Sequence, residues 1–231
     1  MKLLAVETAT EACSAALFID GVVAERFEVA PKDHTRLILP MIDSLMGEAG
    51  LKPQQLDGLA FSRGPGSFTG VRIATGVIHG IALGADLPVV PVSTLAAMAQ
   101  NYFDKNGGDI AFTAMDARMG EIFWGVYHRD ADGFAELLGE EVVGYAEHIG
   151  FPDVCGIGLG SGWASYQQQL SNLLSWRVES CVVDDVLPRA GAIARLGAYH
   201  FQLGRAVAVE QAMPVYLRDK VAKTEFERGK I

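Results

Sequence analysis

The chain has 231 residues, half of them hydrophobic, and a formal net charge of −9 from 28 acidic and 19 basic side chains. That length suits one larger domain or two small lobes with a real core. The acidic balance excludes a protein that grips a nucleic-acid backbone alone, because such affinity comes largely from clustered Lys and Arg.

In chain order, residues 3–8 and 14–19 read as strands, and Asp20-Gly21 is a hairpin turn before a strand over 22–29. Helical patterns over 33–49, 67–84 and 93–103 alternate with strands near 58–62 and 88–92, with Ser67 and Ser93 as N-caps. Pro40 is expected to bend the first helix. The hairpin grammar then recurs: a strand over 110–116, a turn over 117–120, a strand over 121–127, and a second turn at Asp132-Gly133. In both copies an acidic residue, Glu7 or Asp116, closes the first strand. Repetition at that distance predicts two related lobes in an α/β fold, divided 1–105 and 106–213, with 214–231 as a C-terminal segment. The second lobe is expected to hold the run Gly156, Gly158, Gly160, Gly162 and a helix over 189–203 stopped by Gly204. The charged stretch after Arg218 reads as a frayed tail.

The run Gly64-Pro65-Gly66-Ser67-Phe68-Thr69-Gly70 leaves a strand and tips into a helix, the geometry of an anion cradle. It lacks the lysine and hydroxyl of a phosphate-binding G-x-x-x-x-G-K-[ST] loop. Glu7, Thr8, Gly64, Gly66, Ser67 and Asp116 therefore make at most a vestigial nucleotide loop, with strand-end carboxylates that cap their own hairpins as the plainer alternative. Ser67 is not in a G-x-S-x-G elbow. The five histidines include no pair at i, i+4 around a glutamate, so metalloprotease chemistry is not expected. Cys13, Cys155 and Cys181 lack the spacing of a disulfide framework or zinc site and read as small residues in a reducing compartment. No continuous run of about 20 apolar residues occurs: the strongest candidate, 71–83, is interrupted by Arg72 and His79. Nothing at the start reads as a signal segment, so no membrane partner and a cytoplasmic location are expected.

Five blocks in register, 5–14, Asp33-His34-Thr35-Arg36, the glycine run, 115–121 and Pro214-Val215-Tyr216-Leu217-Arg218, resemble the TsaB (YeaZ) family of bacterial tRNA threonylcarbamoyladenosine biosynthesis subunits. The resemblance runs nearly end to end. It implies a duplicated actin-like ATPase fold, related to ribonuclease H, in two lobes. It also implies a part in tRNA modification as a non-catalytic subunit supporting the transferase TsaD, with the ATPase TsaE as a further partner and tRNA reached only through the complex. In TsaD, two metal-binding histidines stand four residues apart at the start of the helix after the corresponding strand. Here Thr94 and Met98 occupy those positions, and a hydroxyl and a thioether do not replace two imidazoles. The reading is therefore no catalytic residue, no metal and no cofactor. The alternatives are a nucleotide-dependent ATPase or kinase of the same fold, or a peptidase, the latter from the wider family's naming alone.

In the 33–49 helix the apolar positions, including Leu37, Ile38, Met41 and Leu45, spread over roughly 200°, twice the stripe a one-sided helix needs. In the next helix Arg72, Thr75 and His79 form a polar stripe, while Gly76, Gly80 and Gly84 form a ladder that leaves backbone bare. The expected partner interface is Leu37, Ile38, Met41, Leu45, Arg72, Gly76, His79, Gly80 and Leu83. The same face should make the free chain a homodimer.

Overall fold

The computed structural model of the protein describes residues 1–184 and 186–218; the expected frayed tail after Arg218 lies outside them. The first half builds a five-stranded sheet from β1 (Lys2–Glu7), β2 (Ala12–Ile19), β3 (Val22–Val29), β4 (Gly58–Ser62) and β5 (Val89–Val92), in the order β3-β2-β1-β4-β5. The second builds its sheet from β6 (Ile110–Arg118), β7 (Glu121–Arg129), β8 (Ala135–Leu137), β10 (Gly156–Leu159) and β11 (Val178–Val182), in the order β11-β10-β6-β7-β8, with β9 (Val142–Tyr145) also on β7. The two orders are the same path. In each, the first strand pairs antiparallel with the second and parallel with the fourth, and the fifth runs parallel on the fourth. This is the duplicated α/β, actin-like architecture, and the repeated hairpin was its visible trace in the sequence.

Five helices cover the sheets: α1 (His34–Ala49), α2 (Phe68–Ala85), α3 (Thr94–Asn106), α4 (Ser161–Leu174) and α5 (Ala190–Gln202). Ser67 caps α2 by accepting from the Gly70 amide at 3.4 Å, and the Ser93 hydroxyl accepts from the Leu95 and Ala96 amides. Such side-chain acceptors satisfy first-turn amides that have no partner inside the helix. The helix runs continuously through Pro40. One face of the first sheet, with Leu4, Val6, Leu59 and Phe61, packs on Ile38, Ile42 and Leu45 of α1 and Ala74, Ile78 and Ala82 of α2. The opposite face, with Leu3, Ala5 and Ala60, takes α5, and α3 packs on α5 and on β6, β7 and β8 of the second sheet. Thus α5 does not sit with the second lobe as expected; it crosses back onto β1, β2 and β4. Gly197 permits this approach, because a methyl there would stand 2.7 Å from the Ala60 side chain.

α2 is long and apolar enough to cross a membrane by length and composition alone, but a third of it is buried inside the protein against the sheet.

Candidate functional site: a closed glycine turn and an open helix face

The glycine turn lies where β4 ends and α2 begins. In an open α/β sheet this crevice, at the carboxyl ends of the strands, is where ligands bind. Here the chain fills it. A methyl on Gly66 would stand 2.5 Å from the Ala9 carbonyl, one on Gly70 would overlap the Thr8 carbonyl, and one on Gly64 would meet the Val215 carbonyl at 2.8 Å. The turn is held shut by three bonds: the Ser67 amide to the Ala9 carbonyl, the Thr8 hydroxyl to the Gly70 carbonyl, and the Val215 amide to the Arg63 carbonyl. The glycines serve close approach of the protein to itself, and the expected cradle is occupied by residues 8–9 and 215.

Glu7 ends β1 inside this closure. It is fully buried, one oxygen accepts from the Ala9 amide, and the other has no partner among the described residues. Burial pushes its carboxyl from 4.5 up to about 7, against the opposing pull of the Ala9 amide. Asp116, its counterpart at the end of β6, does the plainer job: it accepts from the Arg118 amide at 2.8 Å and from the Arg118 guanidinium at 3.1 Å. The two acids that were grouped in the sequence thus stand in different environments. Thr94 and Met98 are also interior, and the Met98 methyl packs against Gly160. Among the described residues no group of three His, Cys, Asp or Glu side chains is placed to hold a metal ion.

Residues missed by pattern reading tie the two lobes together. Glu141, just before β9, accepts from the Ser93 hydroxyl, the Tyr127 hydroxyl and, at 3.4 Å, the Arg63 guanidinium. These groups line an interlobe cavity of about 380 Å³ with His200 and Arg205. Burial, with Glu141 beside it, pushes the Tyr127 hydroxyl well above 10. Burial, with Arg205 and Arg63 nearby, holds His200 down to about 4, so it is neutral near pH 7. No motif marks this cluster, because its members are contributed by both lobes and meet only in the fold.

The outer face of α1 and α2 is the second feature. Ile38 and Leu45, expected there, are 1 % and 2 % exposed and belong to the core. His79 is likewise tied inward: it is half-buried, bonds the Ala212 carbonyl at 2.8 Å and meets Phe61 edge-on. Leu37 and Met41 are half-buried, while Arg72, Gly76, Gly80 and Leu83 face outward. Among the described residues, the ladder Gly76, Gly80 and Gly84 has nothing within 4 Å of where a methyl would point. Packing within the chain therefore does not explain it. Leu83 is 67 % exposed beside it, and Leu39 of α1 is 56 % exposed.

Known proteins place this molecule. The family model described as TsaD, tRNA N6-adenosine threonylcarbamoyltransferase, matches residues 7–172. The tRNA threonylcarbamoyladenosine biosynthesis protein TsaB of Escherichia coli is 41 % identical over 96 % of each chain, and that of Haemophilus influenzae 36 % identical over 96 % of this chain and 95 % of its own. A solved structure of YeaZ from Pseudomonas aeruginosa superposes with a TM-score of 0.87 at 39 % identity, covering 94 % of this chain and 99 % of that one. Another Pseudomonas aeruginosa structure, described as similar to peptidase YeaZ, gives the same figures. With nearly full-length coverage at this identity, and with its duplicated sheet order, the chain belongs to the TsaB family of tRNA threonylcarbamoyladenosine biosynthesis proteins.

Proposed function

We propose that this chain is a non-catalytic partner subunit for threonylcarbamoyladenosine formation in tRNA, acting in the cytoplasm by docking a TsaD transferase on the outer face of α1 and α2. One observation carries the reading: the glycine ladder of α2 opens onto solvent. Each helix-interior glycine costs roughly 1 kcal/mol relative to alanine, and nothing among the described residues offsets that cost at Gly76, Gly80 or Gly84. A ridge without side chains admits a second helix at close range, and half-buried Ile73, Val77 and Ile81 flank it. An apolar face of this kind is rarely left in water.

The interior of the first lobe supports a binding role over a chemical one. The glycine turn is filled by the protein itself, and Glu7 is sealed behind it. Thr94 and Met98, at the positions where the resemblance puts metal-binding histidines in TsaD, are core side chains. A TsaE ATPase completes the assembly, and with a net charge of −9 this chain meets tRNA only through its partners. Alone, it pairs with a second copy through the same self-complementary face, so homodimer and heterodimer exclude each other.

The test uses the full chain and the TsaD protein of the same organism. Co-purification and a tRNA modification assay with and without this chain should show a stable complex and strong dependence on it. Gly80→Leu should stay folded by circular dichroism yet lose at least tenfold in association by overpacking the ridge. Sedimentation of the free chain at tens of micromolar, about where a weak dimer is populated, should show the dimer. Full-rate modification without this chain, or Mg²⁺-dependent ATP hydrolysis by the isolated chain that Glu7→Ala abolishes, would sink the reading.

A further inference from the structure

At the N-terminal end of α2 the apolar face does not simply stop. Phe68 opens the helix 47 % exposed, and Tyr216 of the C-terminal segment, also 47 % exposed, stands beside it with ring centroids 5.8 Å apart. Two large aromatic rings left half in water at one spot are an unusual expenditure of surface. The guanidinium of Arg72, one turn on, lies flat on the Phe68 ring, 3.3 Å from its centroid, and 5.5 Å from that of Tyr216. Stacking on a ring uses the face of the guanidinium and leaves its edge, with up to five N–H donors, pointing outward.

No carboxylate of the described residues meets that edge. The salt bridges in this region go elsewhere: Asp33 holds Arg36, and Glu48 accepts from Arg26 and Ser44. α2 has no acidic residue from Phe68 to Ala85. The platform is also immobilised from behind, because the same C-terminal segment is pinned on both lobes, by the Val215 amide on the Arg63 carbonyl and by Arg218 on the Ala117 carbonyl at 3.0 Å and on Glu121. A fork of donors held flat beside an apolar ridge is built for a planar, bidentate acceptor.

We infer that Arg72, stacked on Phe68 beside Tyr216, receives a carboxylate side chain of the protein that covers α2, and that this contact selects the heterologous partner over a second copy of this chain. The inference rests on the functional reading above and names its anchor. A protein carboxylate fits better than an RNA phosphate, since one arginine in an apolar setting on an acidic chain lacks the cluster of cations that phosphate binding requires. A second copy fits worse, since on its α1 and α2 Asp43 is the one acid not drawn into an ion pair among the described residues. Arginine paired with aromatic residues is also the composition enriched at binding hot spots.

The experiment measures association of the full chain with its TsaD protein by calorimetry at low and high salt, and self-association by sedimentation, for the wild type, Arg72→Lys, Arg72→Ala and Tyr216→Ala. Circular dichroism checks that each is folded, which is expected because both side chains face outward. Arg72→Ala should weaken the heterodimer at least thirtyfold and flatten its salt dependence, Arg72→Lys about tenfold through loss of the bidentate, stacked geometry, and Tyr216→Ala by a smaller factor. The homodimer should change less than threefold. Equal weakening of both assemblies would show that Arg72 only packs, and an unchanged heterodimer would show that nothing meets it; either overturns the inference while leaving the docking face standing. A loss confined to tRNA binding by the complex would assign the site to phosphate and overturn it too. Failure of the wild-type chain to bind at all would overturn the functional reading and this inference with it.

Discussion

α2 and α4 follow the fourth strand of their respective sheets and are counterparts in the duplicated fold, yet they spend glycine and surface in opposite ways. Past its first turn, the glycines of α2 point outward: Gly76, Gly80 and Gly84 meet nothing among the described residues, and the exposed side is apolar apart from Thr69 and Arg72. Around α4 the glycines point inward. A methyl on Gly158 would strike the Trp163 indole at 2.5 Å, and one on Gly162 would meet Ala114 at 2.7 Å. The outer side of α4 is Ser165, Gln167, Gln168, Gln169 and Asn172, a surface made for water. One half of a duplicated molecule keeps a wetted helix, and the other offers its helix to be covered.

The sharpest way to break the comparison is to add the same methyl to both halves. Gly160 has φ +104° and backs onto the Met98 methyl and the Ala114 carbonyl, so Gly160→Ala combines strain with a clash and should destabilise by about 3 kcal/mol or more. A melting curve unchanged from wild type would remove the inward assignment.

The strand-end acids carry the comparison further. Glu7 is buried and its carboxyl is raised to about 7, whereas in the unfolded chain it titrates near 4.5. Folding therefore suffers no penalty below about pH 4.5, and stability is lost as pH rises from there through 7. Above that the penalty is complete, at most about 3 kcal/mol at 1.36 kcal/mol per pH unit. Glu7→Gln should raise Tm at pH 8 and leave it nearly unchanged at pH 4. An equal shift at both values would show that ionisation is not involved.

A smaller effect is expected at the counterpart. Asp116 organises the β6–β7 turn, where Arg118, Met119 and Gly120 all have positive φ. Asp116→Ala removes the acceptor for the Arg118 amide and should destabilise by about 1 kcal/mol. Denaturant titration checks this, and a loss matching that of Gly160→Ala would mean that the hairpin matters more than its exposed position suggests.

The smallest change has the opposite sign. Gly80→Ala sits in a helix with open space around it, so the free chain should become more stable by up to about 1 kcal/mol, while association should weaken. A destabilised monomer would mean that the ladder is packed from within after all, and would erase the contrast with α4.

Local chemistry was enough to read the hairpins, the helix caps and the repeat: Asp20-Gly21, Ser67 and Ser93 act through neighbours a few residues away, and alternation of apolar residues has the period of the strand it forms. β10 was harder to see, because Gly156-Ile157-Gly158-Leu159 has only one β-branched side chain among its four residues, and Gly156 answers to Ile110, far along the chain. β8 and β9 are three and four residues long and exist by pairing with β7. For the candidate site, the sequence by itself determined that glycines, two strand-end acids and an apolar helix would be there, since composition and order are local facts. Tertiary structure alone decided which glycine turns inward and which outward, which acid is sealed, and that Ile38, Leu45 and His79 belong to the interior. Direction and burial depend on what lies across the gap, and those neighbours, Ala9, Val215 and Ala212 among them, come from distant parts of the chain.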